Sequence, residues 1–172
     1  MSKTDEIICK HIASVQLKLE KIKLELENRC RNHDASKLQE PEHSMWERVD
    51  REPRYPYGSK EYQEKMDRNW FVFDQHYKNN THHPEHFTNG VYDMDLVDII
   101  EMLCDWISYK KNISYNEAKD TIEKQSKRFH LDDQLCSILK NTLMNYFVSL
   151  GGDDGQEENY IQELKNKLHT NF

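Results

Sequence analysis

Between residues 4 and 31 the chain repeats apolar side chains at steps of three and four: Ile8, Ile12, Val15, Leu19, Ile22, Leu26 and Cys30. That spacing places them on one face of an α-helix. Thr4 followed by Asp5 and Glu6 gives the helix a capped, acidic start. His33-Asp34 then opens or continues into a short helix ending near Glu40-Pro41. Residues 41–60 lose the periodicity. Pro41, Pro53, Pro56 and Gly58 punctuate them, and RYPYGS reads as a turn-rich loop.

Ser59 starts the next helix, with Tyr62, Met66, Trp70 and Phe73 at helical spacing, running toward His76-Tyr77. The stretch NNTHHPEHFTNG is irregular, broken by Pro84 and Gly90. From Asp93 or Asp95 an apolar helix carries Leu96, Ile99, Ile100, Leu103 and Trp106. Ser114 with Glu117 three residues on forms a capping box for another, and a last core helix is expected over about residues 132–149. Gly151-Gly152-Asp153-Asp154-Gly155 reads as a hinge. The tail from Gln156 to Leu168 has a weak apolar stripe suited to a small amphipathic helix. No alternating or Val/Ile/Thr-rich run predicts a strand. The expectation is an all-α, HD-domain-like helical bundle over residues 1–150, with the hinge and short C-terminal helix over 151–172.

Composition refines this picture. With 172 residues, one domain is expected. Hydrophobic residues are only 36% and charged residues 32%, which fits amphipathic helices with solvated outer faces. The net charge of −7 argues against general nucleic-acid binding, which needs a basic footprint. Cys9, Cys30, Cys104 and Cys136 form no CxxC pair, so no zinc knuckle is expected. Three of the four lie in apolar helical patterns, which predicts reduced core thiols in a reducing compartment. The N-terminus has no signal-like apolar region and no run suffices for a membrane span. A cytoplasmic location, in a bacterial or phage-infected cell, is the expectation. The two glycosylation sequons, at Asn79 and Asn112, are read as chance.

The chemistry lies in the histidines and in one acidic stripe. There are nine histidines. Five sit in or beside three short motifs: His33-Asp34-Ala35-Ser36-Lys37, then His76, then His82-His83-Pro84-Glu85-His86. Imidazole with carboxylate suits a borderline divalent metal. Lys37 lies four residues after His33 and so faces the same way, where an ammonium would serve a phosphate oxygen. Pro84 fixes the backbone after the paired imidazoles. Asp98, Glu101 and Asp105, at steps of three and four, share one face of an otherwise apolar helix, and buried carboxylates need partners or metal. Each motif alone also fits a solvated surface. Together they are expected to converge, with His33, Asp34, Asp105 and at least one of His76, His82 and His83 on one pocket.

The order His11, then His33-Asp34, then Asp105 resembles the H…HD…D pattern of the HD-domain superfamily. HDASKLQEP looks like the HDxxKxxxP segment of the HD-GYP branch, and HHPE is similar to its paired-histidine motif. The GYP part is missing, with FTNGVYDM in its place. Across most of the chain, HDASKLQEPE, YGSKEY, HYKNNTHHPEHFTNG and MDLVDIIEMLCDW resemble a family of uncharacterised bacterial and phage proteins. The HD resemblance implies metal ligation by His33, Asp34, His76, His82, Asp105 and His11. On one straight helix, however, His11 and His33 would stand about 33 Å apart at 1.5 Å per residue. Residues 28–32 are the expected place for a break.

These readings together predict a metal-dependent phosphohydrolase acting on a nucleotide or another small phosphate ester. One or two divalent ions (Mn, Fe, Co, Ni or Zn) would be bound, with His83 and Lys37 on phosphate and Glu101 or Asp98 as general base or orienting group. An HD-type di-iron oxygenase and a non-enzymatic binding protein are the rival expectations. An oligomer is left open.

Overall fold

The structure is a computed structural model that describes residues 1–109, 113–148, 159 and 161–166. Its elements are α1 (Lys3–Asn32), a 3-10 turn (Ala35–Leu38), α2 (Glu42–Asp50), α3 (Lys60–Arg68), α4 (Trp70–Asn79), two further 3-10 turns (Pro84–His86 and Gly90–Asp93), α5 (Leu96–Ile107), α6 (Tyr115–Phe129) and α7 (Asp133–Leu143). A single π turn over Met144–Val148 continues α7. No strand occurs among the described residues, so the chain is an all-α helical bundle. None of the helices is long and apolar enough to cross a membrane. Residues 161–166 are helical, within the tail expected to form a small helix; the expected hinge at 151–155 lies outside the described residues.

The core is built where α5, α6 and α7 meet. Met102, Leu103, Trp106 and Ile107 of α5 pack against Ala118 and Ile122 of α6 and Leu139 and Leu143 of α7. The Trp106 ring stacks on Phe129, with centroids 5.9 Å apart. Helix α5 thus divides the molecule: its apolar face looks into this core, and its acidic face, with Asp98, Glu101 and Asp105, looks the other way. Asp95 caps it, accepting from the backbone N–H of Val97 and Asp98, and the Asp98 carboxylate closes the box on the Asp95 N–H. Ser114 and Glu117 form the expected capping box on α6.

Four expectations need correction. Residues 42–50 of the supposed loop form helix α2. Pro41 sits at its N-cap, where a missing N–H costs nothing, and Glu42, Trp46 and Val49 recur at helical spacing facing inward. The helix expected from Ser59 to Tyr77 is two helices that break at Asn69. The Asn69 side chain is buried and donates to the Lys65 carbonyl and to Glu52, holding the break. No break occurs at residues 28–32: α1 runs uninterrupted to Asn32. Finally, α1 contributes no buried residue, and its apolar stripe is exposed. Cys9 and Cys30 therefore lie at the surface, while Cys104 and Cys136 are half-buried.

The cysteines give a direct check on this packing. Burial pushes the Cys104 thiol up to about 11, aided by the nearby Glu101 carboxylate. Thiolate is the reacting form, so at pH 8 Cys104 should alkylate roughly a hundredfold more slowly than an exposed cysteine of ordinary pKa. Its rate should go on climbing as the pH approaches about 11. Peptide mapping after timed iodoacetamide treatment reads this out, and equal rates at all four cysteines would contradict the packing of α5.

Candidate metal centre

Five chain segments deliver side chains to one place on the acidic face of α5. His33 is the C-cap of α1. Asp34 follows in the left-handed region (φ 53°), a conformation that Asp tolerates better than most residues. This turn brings Asp34 under His33 and starts the 3-10 turn carrying Lys37. His76 comes from the last turn of α4, and its ring is 3% exposed. The Asn80 side chain donates to the His76 carbonyl and to Ser36 Oγ, which tightens the end of α4 against the 3-10 turn. The chain then turns through Thr81 to His82 and His83. His83 has the extended backbone that a residue before proline prefers, and Pro84 opens the next turn. Glu101 and Asp105 come from α5.

The side chains form two overlapping groups. Ligand atoms of Asp34, His76, His82 and His83 all lie within 4.8 Å of one another, and so do those of His33, Asp34, His82 and Asp105. Asp34 and His82 belong to both. Asp34 Oδ1 stands 3.2 Å from His76 Nε2 and 3.5 Å from His82 Nε2. His33 Nε2 lies 3.8 Å from Asp34 and 3.7 Å from Asp105. His83 Nε2 is 2.9 Å from His76 Nε2. The His33 and His82 rings are 4.5 Å apart and those of His82 and His83 4.1 Å. The first group is deep, with His76 and His82 almost fully buried; the second is at the rim, where His33 and Asp105 remain about one-third exposed.

The Nδ1 atoms point away from this convergence, into carboxylates. His33 Nδ1 bonds Glu101 Oε1 at 2.9 Å, and His82 Nδ1 lies 3.2 Å from the same oxygen. His76 Nδ1 bonds Glu42 Oε1 at 2.7 Å. A carboxylate at Nδ1 favours the tautomer that leaves Nε2 bare toward the common centre, the arrangement that orients metal-binding histidines. Glu42 is itself fixed by donors from Trp46 Nε1 and Asn79 Nδ2. Glu101 accepts from Arg29, which also bonds Asp98 and Glu25. Thr81 accepts from Arg29 and donates to Asp98, so the loop before His82 is tied to the same network.

The electrostatics follow from these contacts. Burial alone would raise the Asp34 carboxyl, but the His76 ring, 3.2 Å from Oδ1, and the bonded Lys37 ammonium outweigh it and hold Asp34 well below the usual range. Glu101 is held low in the same way, its burial outweighed by bonds from His33 and His82. The Glu101 bond raises His33 above its ordinary value. Burial, then the neighbouring His82 and His76, push His83 down to about 3, so it is a neutral imidazole.

One further observation points to a ligand. Asp34 Oδ1 and His82 Nε2 are buried and have no hydrogen-bond partner. Buried polar atoms are paired in the great majority of cases. Among the described residues two of the three unpaired buried side-chain atoms, the third being Gln125 Oε1, belong to the two residues that both groups share. A cation between them would satisfy both, and the donor set of imidazoles and carboxylates fits a divalent ion.

Of the residues picked from the sequence, His33, Asp34, His76, His82, His83, Glu101 and Asp105 come together here. Lys37 stands beside them, its Nζ 2.6 Å from Asp34 Oδ2 and 4.9 Å above the Trp46 ring. Asp98 is placed differently: its oxygens serve Arg29, Thr81 and the α5 cap, so it buttresses the site from behind. His11 lies on the exposed run of α1, 22 residues before His33 on the same unbroken helix, and cannot reach the cluster. The reading of the sequence missed Glu42 and Arg29. Glu42 was hidden because its segment read as loop. Arg29 carried a signal in hindsight, since it falls where the α1 stripe calls for an apolar residue.

The fold and site together define an all-α protein with a buried histidine–carboxylate cluster at the junction of five segments. More particularly, the chain belongs to the DUF5662 family, a family of unknown function, whose profile matches residues 1–145. No curated protein and no solved structure matches it.

Proposed function

We propose that this protein is a metal-dependent phosphohydrolase acting on a small phosphate ester, with two divalent ions held side by side. The observation that carries the reading is the pair of unpaired buried atoms, Asp34 Oδ1 and His82 Nε2, at the overlap of two ligand groups. His76, His83 and one oxygen of Asp34 would hold the deeper ion, and His33, Asp105 and the second oxygen of Asp34 the one at the rim. His82 would complete one of the two. The order His33-Asp34, then Asp105 resembles that of HD-domain phosphohydrolases and supports the same assignment.

When bound, such ions lower the pKa of a coordinated water and polarise a phosphoryl oxygen. The chain's own contributions are positional. Asp34, shared between the groups, sets their spacing. Glu101 and Glu42 keep the imidazoles oriented with Nε2 toward the site. Lys37, which bonds Asp34 Oδ2, would supply a positive charge beside the site for a phosphate oxygen. A polar cavity of about 250 Å³ adjoins the cluster, sharing His82 and Glu101 and lined by Asn32, Asn79 and Asn80. It falls below the roughly 300–1,000 Å³ of drug-sized ligand pockets, which favours a small substrate or one moiety of a nucleotide.

Chelator-treated protein reloaded with Mn²⁺, Fe²⁺, Co²⁺, Ni²⁺ or Zn²⁺ and offered nucleotides and simple phosphate esters tests the reading. Phosphate release that depends on metal and disappears in Asp105→Ala is the expected result. Oxygen uptake by the iron-loaded protein without phosphate release would instead assign an oxygenase. Metal binding with neither reaction would leave a binding protein.

A further inference from the structure

Among the described residues the apolar stripe of α1 has no covering partner. Ile8, Ile12, Val15, Leu19 and Ile22 are between 41% and 61% exposed, and only Leu26, near the α5 contact, is half-buried. Steps of four, three, four, three and four between Ile8 and Leu26 make an unbroken heptad pattern, with Ile12, Leu19 and Leu26 at one core position and Ile8, Val15 and Ile22 at the other. Helices in proteins owe most of their stability to packing of such a face. Among the described residues only the last turns of α1 meet α5, and no residue of α1 is buried.

We infer that α1 pairs with α1 of a second copy of this chain as an antiparallel coiled coil. The stripe is its own complement in that direction. Ile12 meets the partner's Ile22, Val15 meets the partner's Leu19, and Ile8 meets the partner's Leu26. Charge selects the same direction. The first turn is acidic (Asp5, Glu6) and the last turn basic (Arg31, and Arg29, whose guanidinium is already held by Glu25, Asp98 and Glu101), so antiparallel pairing opposes the helix dipoles and sets the acidic end of one helix beside the basic end of the other. It also brings His11 beside the partner's Glu25. Parallel pairing would place Asp5 against the partner's Asp5 in the seam and two Lys18–Lys23 pairs at its edges, whereas antiparallel pairing leaves one like-charge pair there, Lys18 with the partner's Lys18. The pairing also accounts for His11, whose position on α1 keeps it from the metal cluster.

Sedimentation equilibrium on the full chain tests the proposal, at concentrations on the order of 100 µM, where even weak specific dimers assemble. A mass twice the 20.7 kDa of the chain is expected. Ile12→Glu with Val15→Glu should give a monomer with unchanged metal content, because both side chains lie on the exposed run of α1, far from the cluster. Leu17→Glu, on the opposite face and 68% exposed, should stay dimeric. In a mixture of ¹⁴N- and ¹⁵N-labelled chains, lysine cross-linking should join Lys10 to the partner's Lys23. A monomeric wild type, a dimer that survives the double substitution, or links from Lys10 to the partner's Lys10 would overturn the inference.

Discussion

Asp34→Asn is expected to empty both halves of the centre at once. Asp34 is the one carboxylate common to the two ligand groups, and a neutral carboxamide is a poor ligand for a divalent ion. The loss should exceed the roughly 10–100-fold that removal of an outer hydrogen-bonding partner costs in metal affinity, and phosphate release should fall to background with it. The fold should survive. Residue 34 sits in a left-handed turn, which Asn adopts as readily as Asp. Circular dichroism should therefore match wild type while metal analysis does not. A variant that keeps its metal would remove Asp34, and the two-group geometry with it, from the centre.

Glu101→Ala should produce the second-largest effect, through a different route. Glu101 touches no proposed ion. It accepts from the Nδ1 side of His33 and His82 and from Arg29. Without it two imidazoles lose the contact that fixes their tautomer and direction, which predicts a fall of roughly 10–100-fold in metal affinity. Arg29 keeps Asp98 and Glu25, so its charge is not orphaned. The cost to stability should then be about 1–3 kcal/mol, as for a buried hydrogen-bond partner removed. Glu101→Gln retains one acceptor oxygen and should fall between wild type and Glu101→Ala in metal affinity. If both substitutions leave metal affinity unchanged while lowering the unfolding midpoint, Glu101 only ties α1 to α5.

Much of this centre could be read from spacing. His33-Asp34, the paired histidines before Pro84 and the Asp98–Glu101–Asp105 stripe each marked a local geometry, and the structure brings members of all three together. The stripe was legible only as far as its shared face. Which carboxylate caps the helix, which orients imidazoles and which stands at the rim depends on what packs opposite: Arg29 and Thr81 at Asp98, His33 and His82 at Glu101. Helix α2 escaped because two flanking prolines and a polar sequence outweighed the short Glu42–Trp46–Val49 pattern. With it went Glu42, the buried carboxylate behind His76. The stripe on α1 showed where apolar residues lie but not what covers them. Periodicity fixes a face and leaves its partner open, whether that is this chain's core or another copy.

The account rests on the cluster holding metal, and the stoichiometry of untagged protein measures that most directly. After Co²⁺ is titrated into chelator-stripped protein and excess is removed, elemental analysis should find two ions per chain. Asp105→Ala should retain one and Asp34→Asn should hold close to none. Wild-type protein that takes up no metal, or that holds the same amount as Asp34→Asn, would contradict the centre described here.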